Sequence, residues 1–219
     1  MRDVVAPAGA LAALRAGECA LIATDTVFGL AAVPGTAGEQ RIFELKGRPA
    51  TMPLAWLVDG PGALDVWGIA EGGDAAGGGS ASTEDGGAAA EGGDAADGLD
   101  IARKLARAHW PGALTIVVRA SSAARDVGVL AADGTVALRM PDCPSALALV
   151  RELGSPLACT SANLHGRPSA SRIGELDAVF DGVPGRLELP RRCPAGEPST
   201  IVDCTTGTPR VLREGPVRI

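Results

Sequence analysis

Between Gly68 and Leu99 the chain reads GIAEGGDAAGGGSASTEDGGAAAEGGDAADGL, a stretch from which no packed structure can be built. It has almost no large apolar residues, and its glycines, alanines and acids follow neither a helical nor a strand period. Such a segment cannot bury enough surface to offset its ordering entropy, which predicts a disordered surface insertion at about 68–99. The fold must therefore be assembled from the two flanks. With 46% of 219 residues hydrophobic, they suffice for one sizeable core, and one α/β domain over 1–219, interrupted by the insertion, is the default. Aromatics are only 3% and tyrosine is absent, so that core is built mainly from Leu, Val, Ile and Ala.

The insertion also distorts the charge. The chain's net charge of −6 argues against anionic ligands, yet residues 71–100 hold eight acids and no Lys or Arg. Outside them stand 20 basic against 18 acidic residues, a net of +2 that leaves room for a basic pocket. No apolar run approaches the roughly 20 residues of a membrane span, and the N-terminus lacks the layout of a signal peptide, so a cytoplasmic protein is expected. Cys19, Cys143, Cys159, Cys193 and Cys204 are scattered singly, which argues against a disulfide framework. With His109 and His165 the only histidines, a structural zinc site is not expected.

Along the flanks, Val4–Arg15 reads as a helix ended by Gly17, CALIAT as a buried strand, Glu39–Leu45 as a helix and PLAWLV as a strand. Ile101–His109 reads as a helix that stops at Trp110-Pro111-Gly112, because proline cannot continue it. LTIVVR and TVALRM are apolar strands, Pro144–Leu153 a helix, and PLACT a strand leading into Ser161. STIVD, the turn TTGTP and VLREG look like a hairpin. Strands and helices alternate first and become hairpin-like later, which predicts a twisted sheet, part parallel and part antiparallel, covered by helices.

Phosphate-binding signatures of the P-loop and Rossmann types are missing, and neither histidine sits in a nucleophile motif. What remains is a set of polar clusters where strands end. Thr24-Asp25-Thr26, followed by Val27-Phe28-Gly29, could hold an ammonium or hydroxyl ligand, or cap a helix. Lys46-Gly47-Arg48-Pro49 delivers two cations suited to phosphate oxygens, or marks a solvated face. On TVALRM, Thr135, Ala137 and Arg139 share a face, and an arginine in an apolar strand needs a partner or water: a ligand carboxylate, or solvent at an edge strand. Thr160-Ser161-Ala162-Asn163 offers a hydroxyl and an amide two apart, and Ser199-Thr200 with Arg213 forms a fifth group.

Taken in order, T-D-T-V-F-G-L, K-G-R-P-x-x-x-P-L, W-P-G-A-L-T, V-A-L-R-M-P, T-S-A-N-L-x-G-x-P-S, S-T-I-V-D and L-R-E-G resemble the YrdC/TsaC family of threonylcarbamoyl-adenylate synthases. The match covers nearly the whole chain outside 68–99. The resemblance implies a twisted α/β fold, a mixed parallel and antiparallel sheet covered by helices around a central basic cavity. It places Lys46, Arg48, Ser161 and Asn163 on the family's nucleotide signature, Lys46 and Arg48 offsetting charge during catalysis, and puts Met52, Thr135, Ser171 and Arg213 beside ATP. Thr26, Arg139 and Ser199 fall where relatives meet threonine. The usual P-T-E-T-V-Y is here A-T-D-T-V-F, which leaves the role of Asp25 open. Leu57 stands where some relatives have a histidine, and the short, single-domain type is expected because the chain ends just after Arg213.

The activity so implied joins L-threonine, bicarbonate or CO2 and ATP, with Mg2+, into threonylcarbamoyl-AMP and pyrophosphate. The product then passes to a transferase complex that modifies tRNA next to the anticodon; direct tRNA contact is not required, and no membrane partner is expected. Two rivals are a carbamoyl-transfer module of the hydrogenase-maturation type, whose zinc-finger-like and acylphosphatase-like regions this chain lacks, and a non-catalytic RNA-binding module in translation or ribosome maturation. The latter calls for a basic stripe with exposed aromatics, whereas Trp56 and Trp110 look structural.

Overall fold

A computed structural model describes residues 5–49, 51–69, 97–128 and 130–219. In chain order the main elements are α1 (Ala8–Arg15), β1 (Ala20–Ile22), β2 (Gly29–Ala32), α2 (Ala37–Lys46), β3 (Ala55–Leu57), α3 (Ala63–Trp67), β4 (Gly68–Ile69), α4 (Gly98–His109), β5 (Leu114–Ala120), α5 (Ser122–Val127), β6 (Thr135–Arg139), α6 (Pro144–Leu153), β7 (Leu157–Ser161), β8 (Thr200–Asp203) and β9 (Arg210–Arg213). Short 3-10 turns occupy the connection between β7 and β8.

The described strands form one sheet in the order β1-β2-β7-β3-β6-β5-β8-β9, with β4 added beside β5. β3 runs parallel to β6 and β5 to β8, while the other pairs are antiparallel. The mixed α/β architecture read from the sequence is thus the observed one.

The period of two sorts the strand residues onto two faces. Leu30, Trp56, Ile116, Leu138 and Val202 pack with Ile42 of α2, Leu64 of α3 and Ala102 of α4. Ile22, Ala31, Leu57 and Leu157 pack with Leu14 of α1 and Leu149 of α6 on the other face. Helix ends follow local chemistry: Gly47 and Gly154 close α2 and α6 in the left-handed conformation that glycine adopts without steric cost, and Pro144 starts α6.

The acidic Gly/Ala-rich segment lies, for residues 70–96, outside the described residues. Its expected ends are drawn too wide. Gly68 and Ile69 pair with Ala120 and Arg119, and the Asp97 side chain accepts from Leu99 N to begin α4. Among the described residues no helix is long and apolar enough to cross a membrane.

Candidate active site

On the α1/α6 face, the helices cover the β1-β2-β7-β3 side, and the rest of that face opens into a cavity of about 220 Å³. Gly29, Leu57, Thr115, Ala137, Arg139, Cys159, Ser161 and Ile201 line it, each from the same side of its strand. Thr24, Thr26, Arg48, Ser199 and Arg213 complete the polar wall. Six residues expected at the site therefore meet here: Thr26, Arg48, Arg139, Ser161, Ser199 and Arg213.

Arg139 is 6% exposed on β6, the central strand between β3 and β5, so the edge-strand alternative does not hold. Three chain oxygens meet its guanidinium. Nε donates to Gly112 O at 3.1 Å, Nη1 to Thr26 Oγ1 at 2.8 Å and Nη2 to Asp25 Oδ1 at 2.6 Å. Asp25, whose role the sequence left open, is the buried arginine's ion-pair partner. The turn that carries it is wired internally: Thr24 Oγ1 donates to Val27 O at 2.7 Å, so the 2.9 Å contact between the two threonines is donated by Thr26. Thr26 itself is 0% exposed. The turn is held from outside by Ala195 N donating to Asp25 O and Gly196 N to Thr26 O.

Arg48 follows α2 and is braced by its own loop, Nε donating to Met52 O at 3.0 Å and Nη2 to Pro53 O at 3.1 Å. Arg213 on β9 reaches back across the last hairpin, giving Nε and Nη2 to Ser199 O at 2.9 and 2.7 Å. Ser199 Oγ also contacts Thr115 Oγ1 at 2.8 Å. Burial lowers the pKa of both arginines, and for Arg213 the neighbouring charge of Arg139 adds to it. No carboxylate pairs with either among the described residues.

Lys46, 3% exposed at the end of α2, stands behind this wall rather than in it. Its ammonium donates to Ser161 O, to Asn163 O at 2.6 Å and to Asn163 Oδ1 at 3.4 Å. An ammonium has three N–H groups, so all are committed to the turn after β7. Burial and then the charge of Arg48 pull its pKa down to about 8. Asn163 is fixed further by giving Nδ2 to Leu164 O and Arg167 O.

Other expected residues lie outside the cavity wall. Met52 is 41% exposed and offers its carbonyl to Arg48. Thr135 shares a face with Arg139 but sits at the other end of β6, where it donates to Asp133. Ser171 donates to Glu175 at 3.3 Å. Conversely, Thr24, read only as one member of the Thr24-Asp25-Thr26 cluster, and Thr115, not singled out in the sequence, are both buried parts of the site. The parity of Thr115, one residue off the apolar Leu114 and Ile116, was the signal available for the second.

The Sua5/YciO/YrdC family model, whose description reads "Telomere recombination", matches residues 12–72 and 94–215. A Mycobacterium tuberculosis protein is 38% identical over 218 residues, covering 95% of this chain and 83% of that protein; its name, threonylcarbamoyl-AMP synthase, is provisional. The threonylcarbamoyl-AMP synthases of Bacillus subtilis and Laribacter hongkongensis are 33% and 32% identical, covering 95% and 93% of this chain, and 53% and 94% of their own lengths. The crystal structure of Pyrococcus abyssi Sua5 complexed with L-threonine superposes with a TM-score of 0.67 at 29% identity, over 93% of this chain and 52% of that one. The chain thus spans about half the length of the Bacillus and Pyrococcus proteins. By matched motifs, sequence and fold together, it belongs to the Sua5/YciO/YrdC family.

Proposed function

We propose that the chain is an L-threonylcarbamoyl-AMP synthase, condensing L-threonine, bicarbonate or CO2 and ATP to threonylcarbamoyl-AMP and pyrophosphate. The observation that carries this reading is the convergence of Arg48, Arg139 and Arg213 on one cavity edged by hydroxyl groups. Three cations without a carboxylate in the wall make a basic pocket for substrates that bring a carboxylate and a triphosphate. The synthase names of relatives point the same way.

In this reaction the threonine amine captures CO2 or bicarbonate, the carbamate oxygen attacks the α-phosphate, and pyrophosphate leaves. The protein's part is positioning and charge neutralisation. Arg139 takes the threonine carboxylate, with Thr26 fixing Arg139 and Ser199 fixing Arg213. Arg48 and Arg213 face the phosphates. Lys46 holds the Ser161–Asn163 turn in register for the nucleotide. At about 220 Å³ the cavity is small for a ligand site, so it holds the amino acid and the reacting phosphates while the nucleoside extends beyond it, toward Met52 and Ser171.

Mg2+ enters as part of the MgATP substrate. The wall offers guanidinium and hydroxyl groups, Asp25 is engaged by Arg139, and among the described residues no group of three or more His, Cys, Asp and Glu could hold a metal ion. The donor set does not fit a resident ion. The product goes to a transferase complex in the cytoplasm, a placement supported by five unpaired cysteines.

The RNA-binding alternative lacks its stacking surface. Phe28, Phe43, Phe180, Trp56 and Trp110 are buried and Trp67 is half-buried, so no aromatic face is offered to bases. The deciding experiment is pyrophosphate release from MgATP and bicarbonate with threonine, with serine and without amino acid. Threonine- and bicarbonate-dependent release that Arg139→Ala abolishes is expected; a folded chain that releases none overturns the reading.

A further inference from the structure

The three arginines of the cavity share one charge but not one electrostatic environment. Arg139 faces a carboxylate at 2.6 Å, whereas Arg48 and Arg213 meet only carbonyl and hydroxyl oxygens. A guanidinium has five N–H groups in a planar fork. On Arg139 three are taken, one each by Gly112, Thr26 and Asp25, and two remain, one on each terminal nitrogen. A carboxylate can accept one N–H from each of two guanidinium nitrogens.

From this we infer that Asp25 is a positioning and specificity-determining residue: it fixes the Arg139 fork for a monoanionic carboxylate and cancels the charge that would otherwise draw in a polyphosphate. Arg48 and Arg213, uncompensated, keep the triphosphate. The pairing therefore sorts two anionic substrates that enter one cavity. Electrostatics favours the more highly charged ligand at every unpaired cation, and at the short distances of a small cavity that preference is large. Without Asp25, three adjacent cations would bind polyphosphate across the whole wall, and threonine would compete with its own co-substrate. With Asp25, Arg139 selects by fork geometry rather than by net charge.

The placement of Asp25 suits this role. Its side chain is 13% exposed, it lies behind Arg139 rather than in the cavity wall, and its backbone is tied down by Ala195 N. It touches no substrate in this arrangement and acts through the arginine alone.

The inference rests on the threonine-and-ATP reading, and calorimetry separates the two. L-threonine binding is measured on the full chain with and without saturating inorganic tripolyphosphate, for wild type, Asp25→Asn and Thr26→Val. The asparagine variant keeps shape and an acceptor oxygen but removes the charge; the valine variant removes one acceptor from Arg139 but leaves the charge pair. In wild type, tripolyphosphate should change threonine affinity less than about twofold. In Asp25→Asn, threonine affinity should fall by roughly tenfold, and tripolyphosphate should displace threonine competitively. Thr26→Val should weaken threonine without creating that competition. Unchanged threonine binding in Asp25→Asn, or equal competition in wild type or Thr26→Val, overturns the inference. A wild-type chain that binds threonine as described but releases no pyrophosphate overturns the proposed reaction and leaves the sorting standing; one that binds no threonine overturns both.

Discussion

Lysine at position 139 would keep the positive charge and lose the site. Arg139 gives three N–H groups to the chain and has two left for a ligand; a lysine has three in all, which the same oxygens would take. Losing two charge-assisted hydrogen bonds predicts that Arg139→Lys raises the threonine KM by about 100-fold with little change in the KM for ATP. Lys46 yields a prediction in pH. Its pKa is drawn down to about 8, and only the protonated form can satisfy the Ser161 and Asn163 oxygens. Activity should therefore fall as pH rises through about 8, and Lys46→Arg should carry that limb to higher pH; a limb that stays in place assigns it to another group. The sequence left Arg139 either a ligand carboxylate or solvent at an edge strand and did not reveal that the chain itself supplies a carboxylate, because Asp25 lies 114 positions away and only the completed sheet brings them together.

At the scale of elements, two glycines make contrasting predictions. A Cβ at Gly29 on β2 would lie 2.7 Å from Cys159 Sγ on β7, and one at Gly38 on α2 would lie 2.4 Å from the backbone carbon of Glu18. Gly29→Ala should cost about 1–3 kcal/mol, and Cys159→Ala in the same chain should restore most of it, since the clash is with a removable side chain. Gly38→Ala meets main chain and should have no such rescue; urea unfolding of the single and double variants checks both. Elements with long periodic patterns were legible: α2, α4, α6, β5 and β6 fall where apolar spacing puts them, within a few residues. Those missed are short. β2 is GLAA, with little strand propensity, and is held by partners on both edges; α3 has five residues and α5 six, too few for a period to register. Ser121, whose hydroxyl caps Ala124 N, was the one local sign of α5.

Across the whole molecule, the site draws on β2, β3, β5, β6, β7, β8 and β9 of a single described sheet, so ligand binding is linked to the stability of all of them. MgATP and threonine together at about 100 times their Kd should add roughly 2.7 kcal/mol each, a rise in Tm on the order of 10 °C for a domain of this size, measured by thermal scanning. The family motifs were readable in the sequence because they are local runs at strand ends. The cavity was expected only through the family resemblance and not from any segment, because it needs a face of β6, β5 and β8 left uncovered by α1 and α6, a property of packing.

The hairpin of β8 and β9 bears on how such a chain is made. Arg213 meets Ser199 only once β9 has folded back on β8, and Thr200 is pinned to Val217 by hydrogen bonds in both directions. During synthesis Asp25 and Arg139 leave the ribosome tens of residues before Arg213. A chain stalled or clipped before residue 213 can therefore build most of its sheet yet lack one of the three arginines that line the cavity, so that the wall is completed only when the β8–β9 hairpin forms.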